Sequence, residues 1–251
     1  MKDLVLLHGG GHGSWCWGPL LEEWKTRRFP FERTFALDTP GAGAKRGQST
    51  DGWTIATLAR SLNDELRAAG VRDATFIGHS LAGVLMPVMA AQDPALFADL
   101  IFLQTSAPLE GQTIMQQMAG IAGASGKPDR SRVARLRRLF GLELSEERLR
   151  WMVREASQDA TPRALAEEPI DRLGFDSSRF RTTYVVALRD PILPPEWQRR
   201  FASRVGARTV EIDTPHEPFL SHPTLLIECL TPLLVGSSPV KSPLVNSPPP
   251  R

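Results

Sequence analysis

Ala74-Thr75-Phe76-Ile77-Gly78-His79-Ser80-Leu81-Ala82-Gly83 decides the fold of this chain. A β-forming run enters Gly78-His79-Ser80, and a helix-forming run from Leu81 to Gln92 follows at once. Strand, sharp turn and helix in that order are the layout of a nucleophile elbow. The turn forces strained angles on the serine and needs small neighbours, which Gly78 and Gly83 supply. Ala82 stands where the Gly-x-Ser-x-Gly pattern asks for glycine, so a slightly more open turn is expected. Ser80 would sit at the positive end of the following helix, which favours a developing negative charge. A Gly-x-Ser triplet also occurs at strand ends by chance, so the partner groups must come from the rest of the chain.

Upstream, Leu4-Val5-Leu6-Leu7 is a continuous apolar run of the kind covered on both faces of a sheet. It ends in His8-Gly9-Gly10-Gly11-His12-Gly13, after which Ser14 is expected to cap a helix running through Trp15, Trp17, Leu20, Leu21 and Trp24. Phe31 to Leu37 reads as a strand, and residues 53–69 have helical spacing that stops at Gly70. Beyond the elbow, Asp93-Pro94 breaks the helix and Leu100 to Leu103 reads as a strand. The alternation β-α-β-α-β-α-β implies a parallel sheet with helices on both faces. Residues 107–181 carry no strongly strand-like run. They show helical segments near 113–120, 132–140, 145–157 and 162–168, so a mainly helical cap insertion is expected. Alternation resumes with a strand over 182–188, a helix over 195–205, a strand over 208–212 and a helix over 223–234. The expected organisation is a core of 1–106 and 182–235, a cap of 107–181, and a disordered Ser/Pro-rich tail of 236–251.

In an open parallel sheet, ligands bind at the carboxyl ends of the strands. Here those ends carry Ser80, then Arg189-Asp190, then Asp213-Thr214-Pro215-His216. The chain order Ser80, Asp190, His216 is that of the α/β-hydrolase fold, with a mainly parallel sheet of about six strands. A serine hydroxyl needs a neutral imidazole to accept its proton, and a buried carboxylate to hold that imidazole in the right tautomer. His216 is preferred as base over His222, which precedes Pro223 at a helix start and is expected to pack or cap there. His79 adjoins the serine, so its side chain is expected to point elsewhere. Asp190 is preferred as acid over Asp213, too close in sequence to His216, and over Asp176, which lies before the strand. The oxyanion donors are expected from the Leu81 N–H and from Gly10 in the turn after the first strand. Gly9-Gly10-Gly11-x-Gly13 lacks G-x-G-x-x-G spacing and no Walker lysine follows, so it does not read as a nucleotide loop.

Three stretches carry a family resemblance: Leu7-His8-Gly9-Gly10-Gly11-His12-Gly13-Ser14-Trp15-Cys16-Trp17, Gly78 to Gly83, and Arg189-Asp190-Pro191-Ile192-Leu193-Pro194-Pro195-Glu196-Trp197-Gln198-Arg199. With them the chain resembles α/β-hydrolases of the plant methylesterase and hydroxynitrile-lyase group and their bacterial relatives. The similarity spans most of residues 3–235 and is thinnest in the insertion. The resemblance implies a serine esterase working through an acyl-enzyme, with no metal and no organic cofactor. Lyases of this group carry threonine where this chain has Gly9, and lysine after the catalytic histidine. Here that residue is Glu217, whose charge has the wrong sign to hold a departing cyanide, so cyanogenesis is disfavoured. Esterases of the group usually have methionine there, so Glu217 departs from them too. It either lies near the pocket, altering charge preference or pH profile, or faces solvent. Ser80 excludes the aspartate-nucleophile branches of the fold. Lactonases and C–C bond hydrolases share the triad and stay open, as does a non-catalytic ligand-binding protein. In the cap, Met115, Met118, Leu139, Phe140, Trp151 and Met152 either line a pocket or form the cap's own core, with Trp151 the best pocket candidate.

Composition narrows the alternatives. Thirty Lys+Arg against 28 Asp+Glu give a net charge of +2, and the arginines between 130 and 154 alternate with glutamates, so nucleic acid is not an expected partner. Cys16 and Cys229 show no metal-ligand spacing and read as free thiols. No run approaches 18 apolar residues and no signal-type segment opens the sequence, so a cytoplasmic protein with no membrane partner is expected. The expected partner is a small-molecule ester substrate, with a homodimer the assembly to test.

Overall fold

The computed structural model describes residues 2–27, 30–121, 131–172 and 174–234. The tail expected to be disordered, 236–251, lies outside them. Six strands form one sheet: β1 (Lys2–Leu7), β2 (Phe31–Leu37), β3 (Ala74–His79), β4 (Phe97–Leu103), β5 (Arg181–Ala187) and β6 (Arg208–Ile212). Their spatial order is β2-β1-β3-β4-β5-β6, and every pairing is parallel. The helices are α1 (Gly18–Lys25), α2 (Ile55–Ala68), α3 (Ala82–Gln92), α4 (Ile114–Ile121), α5 (Arg132–Phe140), α6 (Glu146–Ala156), α7 (Ala164–Glu167), α8 (Pro195–Arg204), α9 (Pro218–Ser221) and α10 (Pro223–Leu234).

The apolar strands follow from burial on both faces. Val5, Leu7, Phe76, Leu100, Phe102, Tyr184 and Val186 face one core, with α2, α3 and α8. Their neighbours Leu4, Leu6, Ile77, Ile101, Leu103 and Val185 face the other, with α1 and α10. Successive side chains of a strand point to opposite faces, so both must be apolar when both are covered. Each such Leu, Val or Phe contributes roughly 1.5–3 kcal/mol by leaving water. Helix α3 is buried on nearly every side, which explains why it lacks a polar face.

Between β4 and β5 the chain forms α4 to α7, and these helices join both cores. Ile114, Leu165 and Ile170 pack with the α2/α3 side, whereas Leu136, Leu149, Met152 and Ala156 pack with the α1/α10 side. Met115 is 60% exposed, so it lines neither core. Polar ties fix the loop after α6 to the sheet loops. Asp159 accepts from Trp15 Nε1 at 2.6 Å, Gly43 N at 3.1 Å and Arg46 Nε at 2.5 Å, and Thr161 Oγ1 accepts from Gly11 N at 3.0 Å.

One expectation is corrected at the start of the chain. Ser14 does not cap a long helix: its N–H and Oγ both donate to Asp38, at 2.6 and 2.9 Å. Residues 14–17 form a separate 3-10 turn before α1 begins at Gly18. Asp38 outcompetes the cap because it gathers Ala44 N as well, at 2.9 Å, stitching the loops after β1 and β2 together.

At the opposite end of the sheet, Asp99 accepts from Lys2 Nζ at 2.9 Å, Thr75 Oγ1 at 3.1 Å and Arg181 Nη2 at 2.8 Å. Burial alone would raise its carboxyl, but the bonds from Arg181 and Lys2 outweigh that and hold it below the ordinary aspartate range. A depressed folded-state value adds stability above the unfolded value and loses it as pH falls through the folded one. Asp99→Asn is therefore expected to lower the urea midpoint at pH 7, and the gap to wild type to close below about pH 4. A gap that stays constant down to pH 2 would contradict this.

Candidate active site

The register brings the informative strand ends to one edge. Leu7 pairs with Gly78, His79 with Leu103, and Ala187 with Ile212. The ladder runs on past β5 and β6, with Leu188 N donating to Ile212 O at 2.9 Å and Arg189 N to Thr214 O at 3.1 Å. Asp190 and His216 are thereby set side by side.

Ser80 has φ = +51°, the left-handed region that a non-glycine residue rarely enters. Its carbonyl accepts from Gly83 N at 3.1 Å and Ser106 N at 3.0 Å, which locks the turn. The need for small neighbours is steric. A Cβ on Gly78 would stand 2.3 Å from Met86 Sδ and 2.9 Å from the Ala82 methyl, so Ala82 fits only because residue 78 is glycine. A Cβ on Gly83 would stand 2.2 Å from the Ser106 carbonyl oxygen. Alanine is the better helix former by about 1 kcal/mol, but a clash with backbone cannot relax by rotamer change. Gly83→Ala is expected to destabilise by about 2–3 kcal/mol in urea denaturation. A variant as stable as wild type would show that the elbow yields freely.

Asp190 is saturated with donors. Its Oδ1 accepts from Ile192 N at 2.8 Å and Leu193 N at 2.9 Å, and its Oδ2 from Gln198 Nε2 at 3.1 Å and His216 Nδ1 at 2.6 Å. Gln198 is itself fixed, with Oε1 accepting from Ala187 N at 2.9 Å and Nε2 donating to Leu193 O at 2.6 Å. The Trp197-Gln198 pair carried the only sequence signal for this clamp, and its role there was not legible. His216 Nδ1 must hold a proton to bond the carboxylate, so in the neutral ring Nε2 carries a lone pair; it is buried and has no hydrogen-bond partner among the described residues.

Other residues sort clearly. Asp213 is an exposed partner of Arg189, 2.7 Å from its Nε, and Asp176 accepts from Ser178. His222 pairs with Glu143 at 3.3 Å and accompanies Ser221. His8 holds its own loop, donating to Gly9 O at 2.8 Å and accepting from Thr39 N at 3.3 Å. His79 corrects its expectation. Its ring does not leave the site but packs 4.6 Å from the His216 ring, and Nε2 donates to the His216 carbonyl at 2.9 Å.

Gly9 and Gly10 lie against the elbow. A Cβ on Gly9 would stand 2.8 Å from Ser80 Cβ, and one on Gly10 would meet the Leu81 side chain at 2.6 Å. Phe140 of α5 stacks 6.3 Å from His216 and edge-on 4.8 Å from His12. Trp151 instead meets Trp15 at 5.2 Å and lines a surface groove of about 500 Å³ with Glu22, Leu144 and Arg148; neither Ser80 nor His216 borders it.

Glu217 is buried, neither of its carboxylate oxygens is hydrogen-bonded among the described residues, and its Oε1 lies 3.8 Å from His12 Nε2. Burial and then the Asp190 charge push its carboxyl well above the usual range. Burial likewise pushes His12 down to about 4, despite its bond to Gly10 O. Both shifts disfavour the charged forms, so burial works against an ion pair at this contact.

A serine on a strained strand-to-helix turn and a histidine–aspartate pair at neighbouring strand ends thus share one edge of the sheet. The chain belongs to the alpha/beta hydrolase family, which matches residues 4–228. Among curated proteins it is similar to a probable esterase of Oryza sativa subsp. indica, 30% identical over 44% of this chain and 41% of that one. It is also similar to a methylesterase of Arabidopsis thaliana, 30% identical over 43% and 41%. The chain thus matches about two fifths of the length of these relatives. Among solved structures, a methylesterase from Arabidopsis superposes with a TM-score of 0.73 at 19% identity, over 94% of this chain and 99% of that one, a likeness of fold. Among the described residues no helix is long and apolar enough to cross a membrane.

Proposed function

We propose that this chain is a serine carboxylesterase acting on small, fairly apolar esters. The observation that carries the reading is the His216–Asp190 bond of 2.6 Å, with His216 Nε2 left unpartnered at the strand edge that presents Ser80. The esterase and methylesterase names of the relatives agree with it. In this mechanism Ser80 Oγ attacks the ester carbonyl while His216 Nε2 takes its proton. The Gly10 and Leu81 N–H groups hold the oxyanion, and His216 returns the proton to the departing alcohol. Water activated by His216 then hydrolyses the acyl-enzyme. No step calls for a cofactor. The segment 107–181 acts as the cap, with Phe140 its nearest identified wall to His216.

The same triad would serve a lactone or C–C bond hydrolase. A hydroxynitrile lyase is disfavoured on two observations: a threonine at residue 9 would collide with Ser80, and Glu217 offers no positive charge. A panel of p-nitrophenyl esters tests the reading, with mandelonitrile as the lyase control. Short-chain ester turnover without cyanide release is expected. No turnover on any ester would favour a non-catalytic ligand-binding protein, and robust cyanide release would overturn the esterase reading.

A further inference from the structure

We propose that His79 Nδ1, His216 Nε2 and a Glu217 carboxylate oxygen form a binding site for a divalent transition-metal ion, and that occupancy switches the enzyme off. These three residues are buried, and each offers a ligand atom within 4.8 Å of those of the other two. Among the described residues, His79 Nδ1, His216 Nε2 and both Glu217 carboxylate oxygens have no hydrogen-bond partner. Four buried polar groups without partners, His12 Nε2 included, are costly in one small region unless a ligand satisfies them.

The tautomers are already set for coordination. His79 Nε2 donates to the His216 carbonyl at 2.9 Å and His216 Nδ1 to Asp190 at 2.6 Å, so the opposite nitrogens carry lone pairs. His12 Nδ1 donates to Gly10 O at 3.2 Å and its Nε2 lies 3.8 Å from Glu217 Oε1, but His12 stands outside the three-residue cluster. An imidazole that bonds a carbonyl or carboxylate through one nitrogen is the usual arrangement of a metal-ligating histidine. Distances agree. Three donors no more than 4.8 Å apart share a centre within about 2.8 Å of each, so each must close by under about 0.8 Å to reach the usual zinc distances of about 2.0–2.2 Å.

Imidazole nitrogens with one carboxylate select Zn²⁺, Co²⁺, Ni²⁺ or Cu²⁺ over Mg²⁺ or Ca²⁺. Their lone pairs fill the metal's sphere and no electron is transferred. A metal on His216 Nε2 occupies the lone pair that must accept the Ser80 proton. The inhibition, though not the binding, rests on the esterase reading above.

The test titrates metal-free, tag-free protein with Co²⁺ and reads the visible d–d bands, then repeats the titration with Zn²⁺ and Mg²⁺. One Co²⁺ per chain with the intense bands of a four-coordinate nitrogen–oxygen site, three protein donors plus one water, is expected, displaced by Zn²⁺ and untouched by Mg²⁺. Glu217→Gln and Glu217→Met, each checked for a cooperative thermal transition, are expected to weaken Co²⁺ binding by at least about 10²-fold, since losing a ligand costs no less than losing a ligand's supporting partner, about 10–100-fold. His222→Ala, which removes the half-buried His222–Glu143 pair, is expected to leave it unchanged. Ester turnover should fall with Zn²⁺ occupancy and return with EDTA. No bands in wild type, or bands unchanged in both Glu217 variants, would overturn the site. Stoichiometric binding beside undiminished turnover would overturn the inhibition. If wild type turns over no ester, the esterase reading fails while the spectra still score the site.

Discussion

Ser80→Ala is expected to lower kcat for p-nitrophenyl ester hydrolysis by about 10⁶-fold, the scale on which removal of a triad serine acts. Alanine keeps the Cβ and so pays the same backbone cost at φ = +51°, which leaves the elbow's carbonyl bonds to Gly83 and Ser106 in place. The loss should therefore come without a large change in the thermal midpoint. Fluorophosphonate treatment followed by peptide mass mapping is expected to label Ser80 in wild type and nothing in the variant. A variant that turns over at the wild-type rate, or a label on another residue, would remove Ser80 from the chemistry.

Asp190→Asn is expected to cost about 10⁴-fold in kcat, as tautomer reversal does in other triads. All four contacts to Asp190 are donors. Asparagine can aim its oxygen at the Ile192 and Leu193 N–H groups, but its NH₂ then faces Gln198 Nε2 and His216 Nδ1. Gln198 cannot turn over to accept, because Ala187 N and Leu193 O fix its ends. His216 must then accept at Nδ1 and carry its proton on Nε2, where it can no longer take one from Ser80. KM should move far less than kcat. A kcat within tenfold of wild type would show that Asp190 does not set the tautomer.

Much of the architecture was legible because its signals are local. The strands over 31–37 and 208–212 and the helices over 132–140 and 223–234 lie where periodicity placed them. All six strands are parallel, as alternating strands and helices imply. Strand starts were less legible. β4 begins at Phe97 and not Leu100, because pairing with β3 extends the ladder through Asp99, a polar residue that Lys2 and Arg181 satisfy. The Ser14 cap failed for a kindred reason, since Asp38, 24 residues away, claims the groups the cap would use.

The order Ser80, Asp190, His216 and the glycines around Ser80 came from the sequence by itself, because turn sterics and chain order are properties of short stretches. Burial and convergence came only from the tertiary structure. The sequence left Glu217 either near the pocket or in solvent. The fold buries it, as α9 begins at Pro218 and carries Phe219 against His79 at 4.8 Å and Trp17 at 4.7 Å. The ends of three strands, β1, β3 and β6, then bring His12, His79, His216 and Glu217 together, and no local pattern encodes which lone pairs a fold will bring within reach of one another.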